Sequence, residues 1–70
     1  MKDWREHIIH DPAVLGGKAT LKGTRLSVAF LLSLLGAGWT VDDLYRNYPG
    51  VMPEDVQALF LYAAEHLEGQ

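Results

Sequence analysis

The 70-residue sequence contains no cysteine, which excludes disulfide bridges and any metal site built on thiolates. It also contains no apolar run that approaches the roughly 18 residues needed for a membrane-spanning helix. The first six residues mix both signs of charge, and no apolar segment of a signal peptide follows them. We therefore expect a cytoplasmic protein that has no membrane partner.

Positive charge is scarce in the second half of the chain. The formal net charge is -3, from 6 Lys and Arg against 9 Asp and Glu. Residues 26–70 contain Arg46 as their only lysine or arginine, against six acidic residues. The cations of residues 1–25 are Lys2, Arg5, Lys18, Lys22 and Arg25. Because affinity for DNA depends largely on cations that neutralise phosphates, the N-terminal part is the better candidate for contact with nucleic acid.

The chain is short for its apolar content. A domain of this size buries only about 60% of its unfolded surface, yet 49% of the residues are hydrophobic. We therefore expect a single domain over residues 1–70 that assembles as a homo-oligomer, most simply a dimer. Within it, residues 1–27 are predicted to form a β dimerisation element and residues 28–68 a three-helix bundle.

Short β-prone runs dominate the N-terminal part. Thr20–Leu21 and residues 24–26 are separated by two residues, and Gly23 supplies the positive φ that a tight hairpin turn requires. A further short strand is predicted within residues 7–10. At Gly16 and Gly17 we expect the backbone to bend sharply or to approach another segment closely.

Three helices are predicted after the hairpin. The first covers residues 28–35, with Ser27 as its N-cap and glycines at its end. The second covers residues 41–47 after Thr40, which begins a weak capping box. The third, residues 53–67, begins with a proline in its first turn and has Gly69 just past its end.

Apolar positions at helical spacing predict which helix faces are buried. The inward residues of the second helix are expected to be Val41, Leu44 and Tyr45. The third helix has two stripes, the first with Val56, Leu59, Phe60, Ala63 and Leu67 and the second with Ala58, Leu61 and Tyr62. Two interpretations of the second stripe stay open: it belongs to the core, or it forms an oligomer or partner interface. The interface candidates are Phe30, Leu34, Ala58, Leu61 and Tyr62.

The second and third helices fit a helix-turn-helix shape, but their charge does not favour reading of a DNA groove. The third helix contains no Lys or Arg, and its acidic start, Glu54 and Asp55, would face phosphate oxygens. If DNA is bound, the candidate contacts are Lys18, Lys22 and Arg25; the alternative is that these three form a solvated hairpin tip. For Arg25 a structural role is preferred, in which its guanidinium binds a carboxylate or backbone carbonyls across a subunit boundary.

No catalytic or metal-binding pattern emerges from the residues. His7 and His10 are three apart on a predicted strand and point to opposite faces, so they do not chelate one metal together. Ser27 and Ser33 have no paired base in the local pattern. We expect a non-enzymatic protein without a cofactor or a metal.

A set of short motifs resembles the bacterial and archaeal family known as domain of unknown function 433. In chain order these are Asp11-Pro12, Gly16-Gly17-Lys18, Gly23-Thr24-Arg25, Gly38 and Tyr48-Pro49. The resemblance covers about residues 5–67, and Gly16, Gly17, Gly23 and Thr24 are its structural motif. It implies an α+β, mainly α fold in which a short strand and β-hairpin precede a three-helix, helix-turn-helix-like bundle.

The same resemblance implies an antitoxin that binds a cognate nuclease-like toxin, with promoter DNA as a further ligand. Two alternatives stay open. One is a stand-alone helix-turn-helix DNA-binding regulator, and the other is a purely structural protein-interaction module.

Overall fold

The computed structural model describes residues 3–68, in which a short β element precedes three helices. The elements in chain order are a 3-10 turn Trp4–Glu6, β1 Ile8–Ile9, a second 3-10 turn Leu15–Gly17, β2 Thr20–Leu21, α1 Val28–Gly36, α2 Val41–Asn47 and α3 Pro53–Glu68. The predicted α+β, mainly α fold is confirmed. Two residues named in the sequence analysis, Lys2 and Gly69, lie outside the described residues. No helix within residues 3–68 has the length and apolar character needed to cross a membrane.

The two strands pair with each other, so Thr20–Leu21 has a partner in addition to the predicted one. Ile8 lies opposite Leu21 and Ile9 opposite Thr20 in an antiparallel register. Residues 24–26, the predicted partner, form no regular strand in the described chain, but they return along the other edge of β2. There the Leu21 N–H donates to the Leu26 carbonyl at 3.0 Å, and an isolated bridge joins Thr20 to Ser27. The physical reason is burial: pairing β1 with β2 places Ile8 and Leu21 together in the core.

The predicted chain reversal at Gly23 is nevertheless present. The Thr24 N–H donates to the Leu21 carbonyl at 3.0 Å, which closes a four-residue turn. Gly23 is the third residue of that turn and has a φ of 80°, the conformation that favours glycine in a type II turn. The Thr24 hydroxyl donates to the Leu21 carbonyl at 2.9 Å and accepts the Leu26 N–H at 3.0 Å. The Gly23 and Thr24 positions therefore hold the reversal together.

The glycine pair before β2 produces a bend rather than a close approach. Leu15, Gly16 and Gly17 have φ values of 50°, 65° and 88°, so three successive residues are left-handed. A Cβ added at Gly17 would meet its nearest atom, the Cα of Pro12, at 3.9 Å, an ordinary contact distance. Of the two predicted roles for this pair, the sharp bend is the one found.

The helix caps follow the local signals. Ser27 accepts the Phe30 N–H at 3.0 Å at the start of α1. The end of α1 is a Schellman motif in which the Trp39 N–H donates to the Leu34 carbonyl at 3.0 Å. Thr40 forms the predicted capping box with Asp43 at the start of α2.

Each helix contributes a fully buried leucine to one core, but two of the predicted inward faces are wrong in part. The three leucines are Leu31, Leu44 and Leu59. Val41 in α2 and both Phe60 and Leu67 in α3 are exposed instead. The reason for α3 is that the first 3-10 turn and β1 pack against it on the side of Ala58 and Tyr62. The buried face of α3 therefore lies between the two predicted stripes.

Candidate functional site: a groove beside helix α3

The first 3-10 turn is fixed to the C-terminal half of α3 by an aromatic and ionic cluster. The Trp4 and Tyr62 rings meet edge to face at a centroid distance of 4.8 Å, and the indole N–H donates to the Glu65 carboxylate. The Arg5 guanidinium lies 4.5 Å from the Trp4 ring centroid and 3.1 Å from the other Glu65 oxygen. These interactions, the hydrogen bond from Trp4 first, hold the pKa of Glu65 below its ordinary value.

A second connection joins β1 to the start of α3. The His7 Nδ1 lies 3.2 Å from one Asp55 oxygen, and the other Asp55 oxygen accepts the Met52 N–H at 2.8 Å. Met52 precedes the first residue of α3, so Asp55 binds a backbone N–H that the helix itself leaves free. Asp55 thus secures both the beginning of the helix and the N-terminal segment.

The other two histidines also contact this side of α3. The His10 Nε2 lies 3.3 Å from the Tyr62 hydroxyl, and the His66 ring stacks on the Tyr62 ring at 3.9 Å. His7 and His10 therefore have different partners. Within residues 3–68, no three side chains of the His, Cys, Asp or Glu type are grouped as metal ligands.

An open groove of about 510 Å³ lies between the first 3-10 turn and α3. Its apolar wall is formed by Trp4, Ala58, Leu61 and Ala64, and Phe60 stands at its edge with 52% of its surface exposed. The polar residues on the lining are Asp3, His7, Glu54 and Gln57. The structure shows no ion pair for Glu54 within residues 3–68. The groove thus combines an apolar wall with an unpaired carboxylate.

Sequence patterns indicate one wall of this groove but not the other. Leu61 and Ala58 are interface candidates because they lie on the second stripe of α3. Ala58 is only 2% exposed, so it belongs to the core and contributes little accessible surface to the groove wall. Trp4 was missed, because no local pattern connects it to a helix that begins about 50 residues later.

The five interface candidates do not gather on one surface. Leu61 lines the groove, and Tyr62 is covered by Trp4 and the histidines. Phe30 lies on α1, where its ring meets the Tyr48 ring at 6.1 Å. Leu34, one turn further along α1, is half-buried. The candidates therefore divide into an α3 group and an α1 group.

The three basic candidates are all accessible. Lys18, Lys22 and Arg25 are exposed, and in the described part of the chain none of them forms an ion pair or a side-chain hydrogen bond. The Arg25 guanidinium therefore binds no carboxylate or carbonyl of its own chain between residues 3 and 68. Its expected role across a subunit boundary stays a prediction.

These features define a small α+β protein with an apolar groove along its last helix. Residues 8–63 match the family model described as protein of unknown function DUF433. The chain belongs to that family.

A solved structure provides a close comparison for the fold. It is the crystal structure of a DUF433 member protein from Anabaena variabilis ATCC 29413, with 34% sequence identity and a TM-score of 0.81. The match covers 89% of this chain and 61% of that one, so this chain spans less than two thirds of its relative. None of the curated proteins compared with the chain matches it.

Proposed function

We propose that this protein is a non-enzymatic, antitoxin-like module that acts in the cytoplasm and binds a cognate nuclease-like toxin. The observation that carries the proposal is the groove beside α3, where an exposed phenylalanine borders an apolar wall. Aromatic side chains next to apolar pockets are typical centres of protein interfaces. The family resemblance supplies the kind of partner, and the groove supplies a place for it.

Charge supports a nuclease-like partner. A nuclease needs a basic surface, because its substrate carries a phosphate at every nucleotide. Glu54 lines the groove and has no ion pair within the described residues. An unpaired carboxylate on the lining of an apolar groove complements such a basic surface, and the bound protein then excludes the nucleic acid from it.

The test is co-expression with the product of the adjacent reading frame, followed by affinity purification through a tag on that product. The two proteins are expected to purify together, and Phe60→Ala is expected to weaken the complex by about 30-fold, the effect of an interface residue worth about 2 kcal/mol. Titration calorimetry measures this change.

Met52→Ala is the matched control, because Met52 is 53% exposed and lies outside the groove lining. This variant is expected to bind like the parent. If the adjacent product does not co-purify, the toxin-binding function is wrong. If the complex forms and Phe60→Ala binds as tightly as Met52→Ala, the partner binds elsewhere and the groove is not the site.

A second candidate function is DNA binding, as promoter contact beside the toxin or in a stand-alone regulator. It is favoured by one observation: Lys18, Lys22 and Arg25 are exposed and have no ion pair within residues 3–68. Unpaired cations are available to phosphates, whereas the start of α3 is acidic. If neither a toxin nor DNA is bound, the remaining candidate is the purely structural interaction module.

Replacing Lys18 and Lys22 together by alanine is expected to weaken binding to promoter DNA. The slope of log affinity against log salt should become shallower by about 2 units per subunit, because each lost phosphate contact removes about 0.9. Fluorescence anisotropy over a salt series measures the slope. The opposite result, an unchanged double variant together with loss of binding in Gln57→Ala, would identify α3 as the DNA-reading element.

A further inference from the structure

The outer face of α1 lacks the charge that surface helices usually carry. The sequence from Leu26 through Val41 contains no Asp, Glu, Lys or Arg. The exposed residues of α1 are Ala29, Phe30, Ser33 and Gly36, and Phe30 leaves 42% of its surface accessible. Helices at the surface of a globular protein normally place charged or polar side chains toward water. This face of α1 therefore resembles one that another protein surface covers.

The one polar side chain on this face is already satisfied by its own helix. The Ser33 hydroxyl donates to the Phe30 carbonyl at 2.6 Å. Covering Ser33 would therefore not leave the hydroxyl proton without an acceptor. This removes the polar cost of burying Ser33.

The uncharged surface continues beyond α1 through aromatic rings. The Phe30 and Tyr48 rings meet edge to face at a centroid distance of 6.1 Å, and the Tyr48 ring stacks with the Trp39 ring at 6.4 Å. Both Tyr48 and Trp39 are half-buried. Together with α1 they extend the apolar surface from the helix to the segment that follows α2.

Symmetry indicates which partner this face suits. In a two-fold dimer a surface meets itself, so any charge near the axis approaches the same charge on the other copy. The exposed segment around Lys18, Lys22 and Arg25 would oppose cations, and the surface around Glu54 would oppose carboxylates. The residues of α1 itself carry no charge, so this helix face can meet its own copy without opposing like charges along the helix.

We propose that the outer face of α1 binds the same face of a second copy of this chain, with Phe30 at the centre of a two-fold dimer. This assignment differs from the expectation that residues 1–27 form the dimerisation element. The first 3-10 turn and β1 already pack against α3 of their own chain. The dimer does not depend on toxin or DNA binding, so it is tested with the isolated protein.

Sedimentation velocity at micromolar concentration tests the dimer. The parent protein is expected to sediment at twice the chain mass of 7.8 kDa. Phe30→Glu places two carboxylates at the proposed contact and should weaken the dimer at least about tenfold, so that monomer predominates. Phe60→Glu is the matched control, since Phe60 is similarly exposed but lies on α3; this variant should remain dimeric.

A second variant separates loss of contact from loss of fold. Ser33→Glu introduces the same charge on the same face while all of the apolar side chains remain, and it should also be monomeric. Circular dichroism must show parental helix content for the variants that are compared. A parent that sediments as a folded monomer would overturn the proposal, as would a folded Ser33→Glu variant that dimerises as tightly as the parent. Dissociation by Phe60→Glu with dimers retained in both α1 variants would place the interface on α3 instead.

Discussion

Replacing Trp4 by alanine is expected to lower the free energy of unfolding by about 3–5 kcal/mol, the usual cost of reducing a buried tryptophan to alanine. Trp4 is only 9% exposed, and its ring packs on Tyr62 at the junction of the first 3-10 turn with α3. A chain of this length has a total stability of about 4–10 kcal/mol. The loss is therefore a large fraction of the total, and the urea midpoint of unfolding should fall by a similarly large fraction, as measured by urea denaturation followed by circular dichroism.

Two further variants show whether lost packing of the Trp4 ring is the cause of the lower stability expected for Trp4→Ala. Trp39→Ala makes the same replacement at the other tryptophan, which is only half-buried, and a smaller loss is expected. Glu65→Gln keeps an oxygen that can accept the Trp4 indole proton but removes the charge facing Arg5, and a small change is expected because that ion pair is exposed. Equal losses in the two tryptophan variants would contradict a special role of Trp4 in joining the N-terminal segment to α3.

The parts of the fold that the sequence predicted correctly depend on short-range signals. Ser27 and Thr40 cap helices through bonds to residues only three positions away. Gly23 likewise acts within a four-residue turn. In each case one residue type satisfies a local requirement for a hydrogen bond or a backbone angle, and no knowledge of the tertiary structure is needed.

The parts that are missed or wrong depend on long-range packing. Local spacing predicts the contact of β2 with residues 24–26, where the Leu21 N–H donates to the Leu26 carbonyl. It does not reveal that β1 pairs along the other edge of β2, where Ile8 is buried together with Leu21. The two stripes of α3 are similarly apolar, so the pattern alone does not decide which face is buried. That choice is made by Trp4, which contacts α3 across 61 positions of sequence at Glu65.

The same distinction applies to the candidate site. The basic candidates follow from the distribution of charge along the chain, and the structure places all three at the surface. The groove has one wall on α3 and the other in the N-terminal turn, so its existence depends on the same long-range contact. Sequence reasoning therefore located residues of the α3 wall without locating the groove itself.

Leu44→Ala is expected to remove about 2–5 kcal/mol from the free energy of unfolding, the usual cost for a buried leucine. Among the residues of α2, all of which are described, Leu44 is the one that is fully buried. A helix of seven residues is too short to be stable alone, so it depends on packing for its stability. Loss of the Leu44 side chain should therefore release α2 before the rest of the fold. Hydrogen exchange should show the amides near the end of α2 losing protection first.

Val41→Ala is the matched control within the same helix. Val41 is 38% exposed, and alanine has the higher helix propensity, so this replacement should change the free energy of unfolding by less than about 1 kcal/mol. The pair also tests the corrected orientation of α2, because the sequence pattern had placed both side chains inward. If Val41→Ala destabilises the protein as much as Leu44→Ala does, Val41 is buried in solution, and a partner or a second copy covers this side of α2.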